Sequence, residues 1–272
     1  MTAPDGEVTV ERAYGRGPFG QMHYRIARPA RESGARPLVC FHMSPYSGAL
    51  YEGFLPVMAR DRLVLAPDTP GFGMSDPPHE KPSIADYARA HAALIEPLGF
   101  ASYDVLGYHT GANIAVEIAA LFPGRVAHVG MIGAPLFTAE EVPQRRAMFG
   151  PVRIEADGSH MPPLWEKSMR WGMEGRTKEM LARLFPERLR RPEISWWGHS
   201  AVYDHALAEK MQSLHQPLAL FNPHDDIQSF TKRGRTLLKP GDRFVDLPGW
   251  SHGFLDLKGE EFARLLRGVL DA

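Results

Sequence analysis

The sequence predicts an α/β fold, in which a mostly parallel sheet carries helices on both faces. Two observations lead there. Short apolar runs of strand length recur along the chain, each bounded by Gly, Pro, Asp or Asn. Segments with helical spacing lie between those runs, and strands alternating with helices imply crossover connections and a buried parallel sheet.

Taken in order, Val8 to Ala13 and Gln21 to Ala27 alternate loosely around a Gly-Arg-Gly-Pro-Phe-Gly turn and read as a β-hairpin. The buried-strand runs are Pro37 to Phe41, Leu63 to Ala66, Tyr103 to Leu106, Val126 to Ile132, Leu218 to Phe221 and Phe244 to Leu247. Helical spacing is carried by Ala49 to Arg60, Ser83 to Leu98, Gly111 to Leu121 and Glu260 to Leu270. Ser83 with Asp86 three residues on is a capping box opening the second of these helices.

Between Leu136 and Gln216 the rhythm breaks. That interval is too long for a loop and holds helical pieces separated by Pro143, Pro151, Pro162, Pro163, Pro186 and Pro192. It also contains Trp165, Trp171, Trp196 and Trp197. The expected division is a core of residues 1–135 and 217–272, with a helical cap or lid at 136–216 inserted between two strands. Its aromatics either face a cleft or pack only the interior of the insertion.

Several function classes are excluded by composition. The chain has 272 residues, 44% hydrophobic and 23% charged, which supplies a full core. Thirty-one Lys and Arg against thirty-two Asp and Glu leave a net charge of −1, with no footprint for nucleic acid or an anionic membrane. No apolar run reaches the roughly 20 residues of a spanning helix. The start, Met-Thr-Ala-Pro-Asp-Gly-Glu, lacks the basic and apolar regions of a signal peptide, so a cytoplasmic protein is expected. Cys40 is the single cysteine, which rules out an intrachain disulfide. The expected partner is a small-molecule substrate, without nucleic acid or membrane, and a homodimer is left open.

In open α/β sheets ligands bind beyond the carboxyl ends of the strands, so the residues after each strand matter most. These are Phe41-His42-Met43-Ser44-Pro45, the run from Pro67 to Asp76 (Pro-Asp-Thr-Pro-Gly-Phe-Gly-Met-Ser-Asp), Gly107-Tyr108-His109-Thr110-Gly111, Asn222-Pro223-His224-Asp225-Asp226 and Gly249-Trp250-Ser251-His252-Gly253. Five such loops in this order resemble the α/β-hydrolase fold family across nearly the whole chain outside the insertion. Gly107 to Gly111 has the shape of that family's nucleophile elbow, G-x-S-x-G. The resemblance implies about eight strands, a triad of His109, Asp225 and His252 in the order nucleophile, acid, histidine, and backbone oxyanion donors at Ser44 and Thr110.

The sequence departs from the family where a serine is expected, because His109 holds the elbow. Three readings follow. Neutral His109 attacks as a nucleophile, its pKa pushed below about 6.5 by the helix N-terminus and a second histidine, while His252, oriented by Asp225, activates water. Alternatively His109 and His252 share acid and base roles with no covalent intermediate, which suits water attack on an ester or a cofactor-independent lyase or decarboxylase. In the third reading the cleft only binds a ligand. Hydrolysis of a small, largely apolar ester, thioester or lactone is the leading expectation.

Substrate contacts are expected from Met43, Tyr108, Phe137, Trp196, Trp197, His199, Tyr203 and Trp250. No cofactor is expected. His42, His109, His224, His252, Asp225 and Asp226 all follow strand ends, but no compact ligand pair is present and no metal is expected. Asp68 reads as a turn residue, Asp226 as second to Asp225 for the acid, His224 as a loop-surface residue and Cys40 as buried and inert. Arg183 to Arg191 reads as a solvated helix face.

Overall fold

The computed structural model describes residues 8–31 and 33–271. The seven-residue start read above for a signal peptide lies outside them. Eight strands form one sheet: β1 (Thr9–Gly17), β2 (Gly20–Arg28), β3 (Leu38–Phe41), β4 (Val64–Pro67), β5 (Tyr103–Tyr108), β6 (Val126–Ile132), β7 (Leu218–Pro223) and β8 (Arg243–Leu247). Their order is β1-β2-β4-β3-β5-β6-β7-β8. The β1–β2 hairpin and the β2–β4 pair are antiparallel, and every other pair is parallel.

The central strands β3, β4, β5 and β7 are buried at every position, as a sheet covered on both faces requires. Alternation sorts their side chains between two cores. From β3, Val39 and Phe41 join Leu65, Val105 and Ile114 on one face, whereas Leu38 and Cys40 join Ala66, Leu106 and Phe221 on the other. Cys40 is accordingly buried, and burial alone lifts its thiol pKa far above the ordinary range.

Eleven helices accompany the sheet among the described residues. Outside the β6–β7 interval are α1 (Leu55–Met58), α2 (Ile84–Ile95), α3 (Thr110–Leu121), α9 (Gln228–Arg233), α10 (Phe254–Leu257) and α11 (Gly259–Leu270). The capping box is present on α2: Ser83 Oγ accepts from Asp86 N–H, and Asp86 Oδ2 accepts from Ser83 N–H at 3.0 Å. Losing that Ser83 hydroxyl would cost about 1 kcal/mol. Helix α11 buries Phe262, Leu266 and Leu270 at helical spacing, each worth roughly 1.5–3 kcal/mol.

One expected helix is not continuous. Residues 49–60 form a 3-10 turn, Gly48–Tyr51, followed by the short α1. Gly53 sits at the break, where a Cβ would lie 2.5 Å from Asp256 Oδ1, and Pro56 starts the new helix in its first turn.

The interval between β6 and β7 forms α4 (Val142–Ala147), α5 (Met161–Met169), α6 (Lys178–Leu184), α7 (Trp197–Tyr203) and α8 (Leu207–Ser213). It is tied to the carboxyl end of the sheet by backbone bonds. His252 N–H donates to Trp171 O at 3.0 Å, and Met173 N–H donates to His252 O at 2.9 Å. No helix among the described residues is long and apolar enough to cross a membrane.

Candidate active site

His109 occupies the turn between β5 and α3 at φ 48° and ψ −105°, the one non-glycine residue at positive φ among those described. Such a conformation costs of order 1–3 kcal/mol and persists only where its surroundings impose it. Here β5 and α3 meet too closely for side chains on either flank. A Cβ on Gly107 would lie 2.0 Å from Gly111 O, and one on Gly111 would lie 2.0 Å from Phe41 O. The two glycines permit the sharp turn, and the turn carries His109 beyond the sheet edge into a cleft.

The structure brings both histidines to that cleft but pairs them differently from the expected triad. His109 Nε2–H donates to Asp225 Oδ2 at 2.8 Å. His252 is partnered by Asp226, with Nε2–H to Oδ1 at 3.3 Å, and Tyr108 O–H meets its Nδ1 at 3.4 Å. Asp225 therefore orients the elbow histidine, and the adjacent Asp226 takes the role expected of Asp225 toward His252. The cause is reach, since an imidazole at the elbow extends to the β7 loop where a serine would not. The ring centroids of His109 and His252 stand 5.7 Å apart.

Electrostatics follow from this pairing. Burial works to lower the His109 pKa, but the charges of Asp225 and Asp226 and the Asp225 hydrogen bond outweigh it, so the pKa is raised above 6.5. The sequence expectation of a depressed value is corrected, because the charges of two carboxylates act on the ring. Asp226 is held below the ordinary carboxylate range: burial opposes this, and the His252 hydrogen bond and the field of His109 prevail. His109 makes no hydrogen bond through Nδ1 among the described residues, which leaves that nitrogen for chemistry.

The two expected oxyanion donors lie together. Thr110 is buried, its hydroxyl turned toward the loop after β3, where Ser44 N–H donates to Thr110 Oγ1 at 3.4 Å. Thr110 N–H opens α3 without an intrahelical acceptor, whereas the Ser44 amide is engaged, so Thr110 is the better placed of the pair. His42 serves the loop itself: its Nε2 accepts from Thr69 N–H at 2.9 Å. Asp68 is more than a turn residue. Fully buried, it accepts from His23 and Arg25 on β2, from Gly48 N–H and from Met74 N–H, and so ties β2 and the Gly48 turn to its own loop.

Two cavities meet at His109. The smaller is walled by Pro135, Phe137, Phe149, Val202, Tyr203 and Ile227, with Arg145 at its margin. The larger, about 320 Å³, is bounded by Met43, Tyr46, Trp171 and His252 together with Arg145, Lys167, Arg170 and Arg188. Of the expected substrate contacts, Met43, Phe137, His199 and Tyr203 line this cleft. Tyr108, Trp196, Trp197 and Trp250 line neither cavity. Tyr108 is buried beneath His252, Trp196 donates Nε1–H to Glu193 O beside Lys81, and Trp250 packs on Phe254.

Sequence reasoning missed the cations. Arg188 lies in the stretch read as a solvated helix face; instead its guanidinium sits 5.2 Å over the Tyr46 ring. Nothing in its spacing distinguishes it from Arg190, which pairs with Glu187. His199 stacks on Phe149 at 3.9 Å, and burial with the fields of Arg188 and Lys167 lowers its pKa to about 3.

A metal was not expected, yet His109, Asp225 and Asp226 each offer a ligand atom within 4.8 Å of the others. The fit is poor, because those groups are already engaged by protein partners, Asp226 by His252 and His109 by Asp225. Asp225 Oδ2 accepts from His109 and Oδ1 accepts from Ile227 N–H at 3.0 Å, leaving neither oxygen uncommitted.

Residues 36–171 match the family model described as alpha/beta hydrolase fold. A 2-(acetamidomethylene)succinate hydrolase of Mesorhizobium japonicum is 36% identical over 109 residues, covering 39% of this chain and 38% of that protein. A serine hydrolase-like protein of Danio rerio is 25% identical over 134 residues, 46% of this chain and 38% of its own length. The match thus spans well under half of either curated relative. Among solved structures, the enol-lactonase from Burkholderia xenovorans LB400 superposes with a TM-score of 0.80 at 18% identity, covering 96% of this chain and all of that one. The sheet order, the elbow, the loops that meet around it and the matched residues agree: the chain belongs to the α/β-hydrolase fold family.

Proposed function

We propose that the protein hydrolyses a small ester, thioester or lactone by direct attack of water, with His109 as general base rather than nucleophile. The observation that carries this is the 2.8 Å bond from His109 Nε2 to Asp225. It fixes the tautomer with the proton on Nε2 and leaves Nδ1 as the basic nitrogen, the arrangement in which a carboxylate-oriented histidine takes a proton. The raised pKa makes that nitrogen more basic, which a proton acceptor uses.

In this mechanism a water bound at the junction of the two cavities gives a proton to His109 Nδ1 as its oxygen adds to the substrate carbonyl carbon. The oxyanion forms beside the Thr110 amide at the start of α3. Collapse of the tetrahedral intermediate breaks the bond to the leaving group, which takes back from His109 Nδ1 the proton the water gave, and the ring returns to its starting state. The insertion between β6 and β7 acts as a cap over this step, since its residues form most of both cavity walls.

The test is hydrolysis of p-nitrophenyl acetate and butyrate by wild type and His109→Ala, with rapid acid quench and mass measurement of the intact protein. A wild-type rate that falls by orders of magnitude in the variant, with no acyl adduct at any quench time, supports the reading. An adduct on His109 would establish the nucleophile instead, and equal rates in both proteins would remove esterase chemistry from the elbow.

A further inference from the structure

Arg145, Lys167 and Arg188, on the β6–β7 insertion, line the larger cavity beside Arg170, and none of the four forms a salt bridge among the described residues. Arg145, on α4, makes no salt bridge among the described residues; its guanidinium lies 4.4 Å over the Phe230 ring. Lys167, on α5, lies 4.3 Å over the Phe149 ring and also has no carboxylate partner among them. Arg188 forms no salt bridge among the described residues, and its Nε–H donates to the Tyr46 hydroxyl at 3.4 Å. The single carboxylate lining either cavity is Asp226, committed to His252 at 3.3 Å.

Charges gathered at the mouth of a cleft repel one another, and burial together with the field of Arg188 lowers the Lys167 pKa. Elsewhere several arginines are paired closely with carboxylates: Arg62 with Asp271 at 2.8 Å, Arg267 with Asp61 at 2.9 Å and Arg25 with Glu52 at 2.9 Å. Cations left without partners around one cavity have an anion as their natural complement. The other arm presents Pro135, Phe137, Phe149, Val202 and Ile227, and His109 stands where the arms meet.

We propose that the larger cavity is a carboxylate subsite built by Arg145, Lys167 and Arg188, so that the substrate carries a carboxylate on one side of the scissile bond and a short apolar group on the other. This rests on the hydrolytic reading for its scissile bond, but the subsite itself is a binding property. It also departs from the expectation of a largely apolar substrate, which rested on the tryptophans and methionines of the insertion: Trp171 and Met148 line the larger cavity, but Trp196 and Trp197 do not.

The test has two arms. In the first, kcat/KM is measured for p-nitrophenyl butyrate and for p-nitrophenyl hemiglutarate, which adds a terminal carboxylate, in wild type, Arg188→Met and Lys167→Met. The wild type should favour the anionic ester, and each variant should lower the anionic-to-neutral ratio roughly tenfold, the scale of one charge-assisted hydrogen bond. A ratio that stays fixed in a folded variant, whatever the absolute rates, overturns the proposal. In the second arm, calorimetry on wild type measures binding of monomethyl glutarate, its neutral dimethyl ester and inorganic phosphate, and needs neither turnover nor a folded variant. Selective binding of monomethyl glutarate supports the subsite even if every ester proves inert, in which case the hydrolytic reading alone fails. Equal affinity for the neutral ester, or binding of phosphate alone, overturns it.

Discussion

The Nε2 of His109 lies 2.8 Å from Oδ2 of Asp225, a residue that follows β7 and stands more than a hundred positions along the chain. This contact makes the elbow residue the oriented member of a dyad, a part that falls to a separate histidine when the elbow holds serine. Asp225→Asn should therefore strike catalysis at His109. The amide can donate to Nε2 and favour the wrong tautomer, so kcat should fall about 10²–10⁴-fold with KM little changed. Steady-state kinetics on p-nitrophenyl butyrate would check it, and a loss confined to KM would show that Asp225 only shapes the pocket.

The pH dependence follows from the direction of the His109 shift. A base must be unprotonated, so kcat/KM should rise with pH through a value above 6.5 and reach a plateau on the alkaline side. Removing the Asp225 charge in Asp225→Asn should move that limb to lower pH. A limb centred below 6.5 in the wild type would contradict the two-carboxylate environment.

The same shift bears on stability. A histidine whose folded pKa lies above its unfolded value stabilises the fold fully below the unfolded value, near 6.5, and the contribution is lost as pH rises through the folded value. The stability lost in His109→Gln should consequently be larger at pH 6 than at pH 9. Urea unfolding of both proteins at the two pH values measures this difference, and a gap that widens with pH would have the wrong sign.

At the elbow glycines the expectation is steric. Gly111→Ala places a methyl 2.0 Å from Phe41 O, backbone that cannot swing aside as a flexible side chain would. A loss of about 3 kcal/mol or more is expected, at or beyond the upper end of ordinary overpacking. Gly268→Ala, on the open face of α11 with nothing within 4 Å, should be neutral or slightly stabilising. Thermal melts of the pair give a matched comparison.

Chelation tests the poor metal fit at His109, Asp225 and Asp226. With the Asp225 oxygens and His109 Nε2 engaged with protein donors and acceptors, dialysis against dipicolinate should leave the esterase rate unchanged. Loss of activity restored by one divalent metal would show that the cluster opens to bind an ion.

Sequence alone determined the sheet, because the apolar runs from Pro37 to Leu247 are local and a strand buried on both faces has few other readings. It also placed the candidate site at the strand ends, since the loops holding Gly107, His109, Gly111, Asp225 and His252 follow apolar runs. What it could not determine was which carboxylate meets which imidazole. Spacing ranked Asp225 ahead of Asp226 as the acid toward His252, but successive residues in a turn point apart, and only their placement beyond β7 sends Asp225 to His109 and Asp226 to His252. Tertiary structure likewise decided the character of the cleft. Within the β6–β7 insertion helical spacing does not reveal which face meets the sheet, so Trp196 faces away from the cavity while Arg145, Lys167 and Arg188 turn their charge toward it.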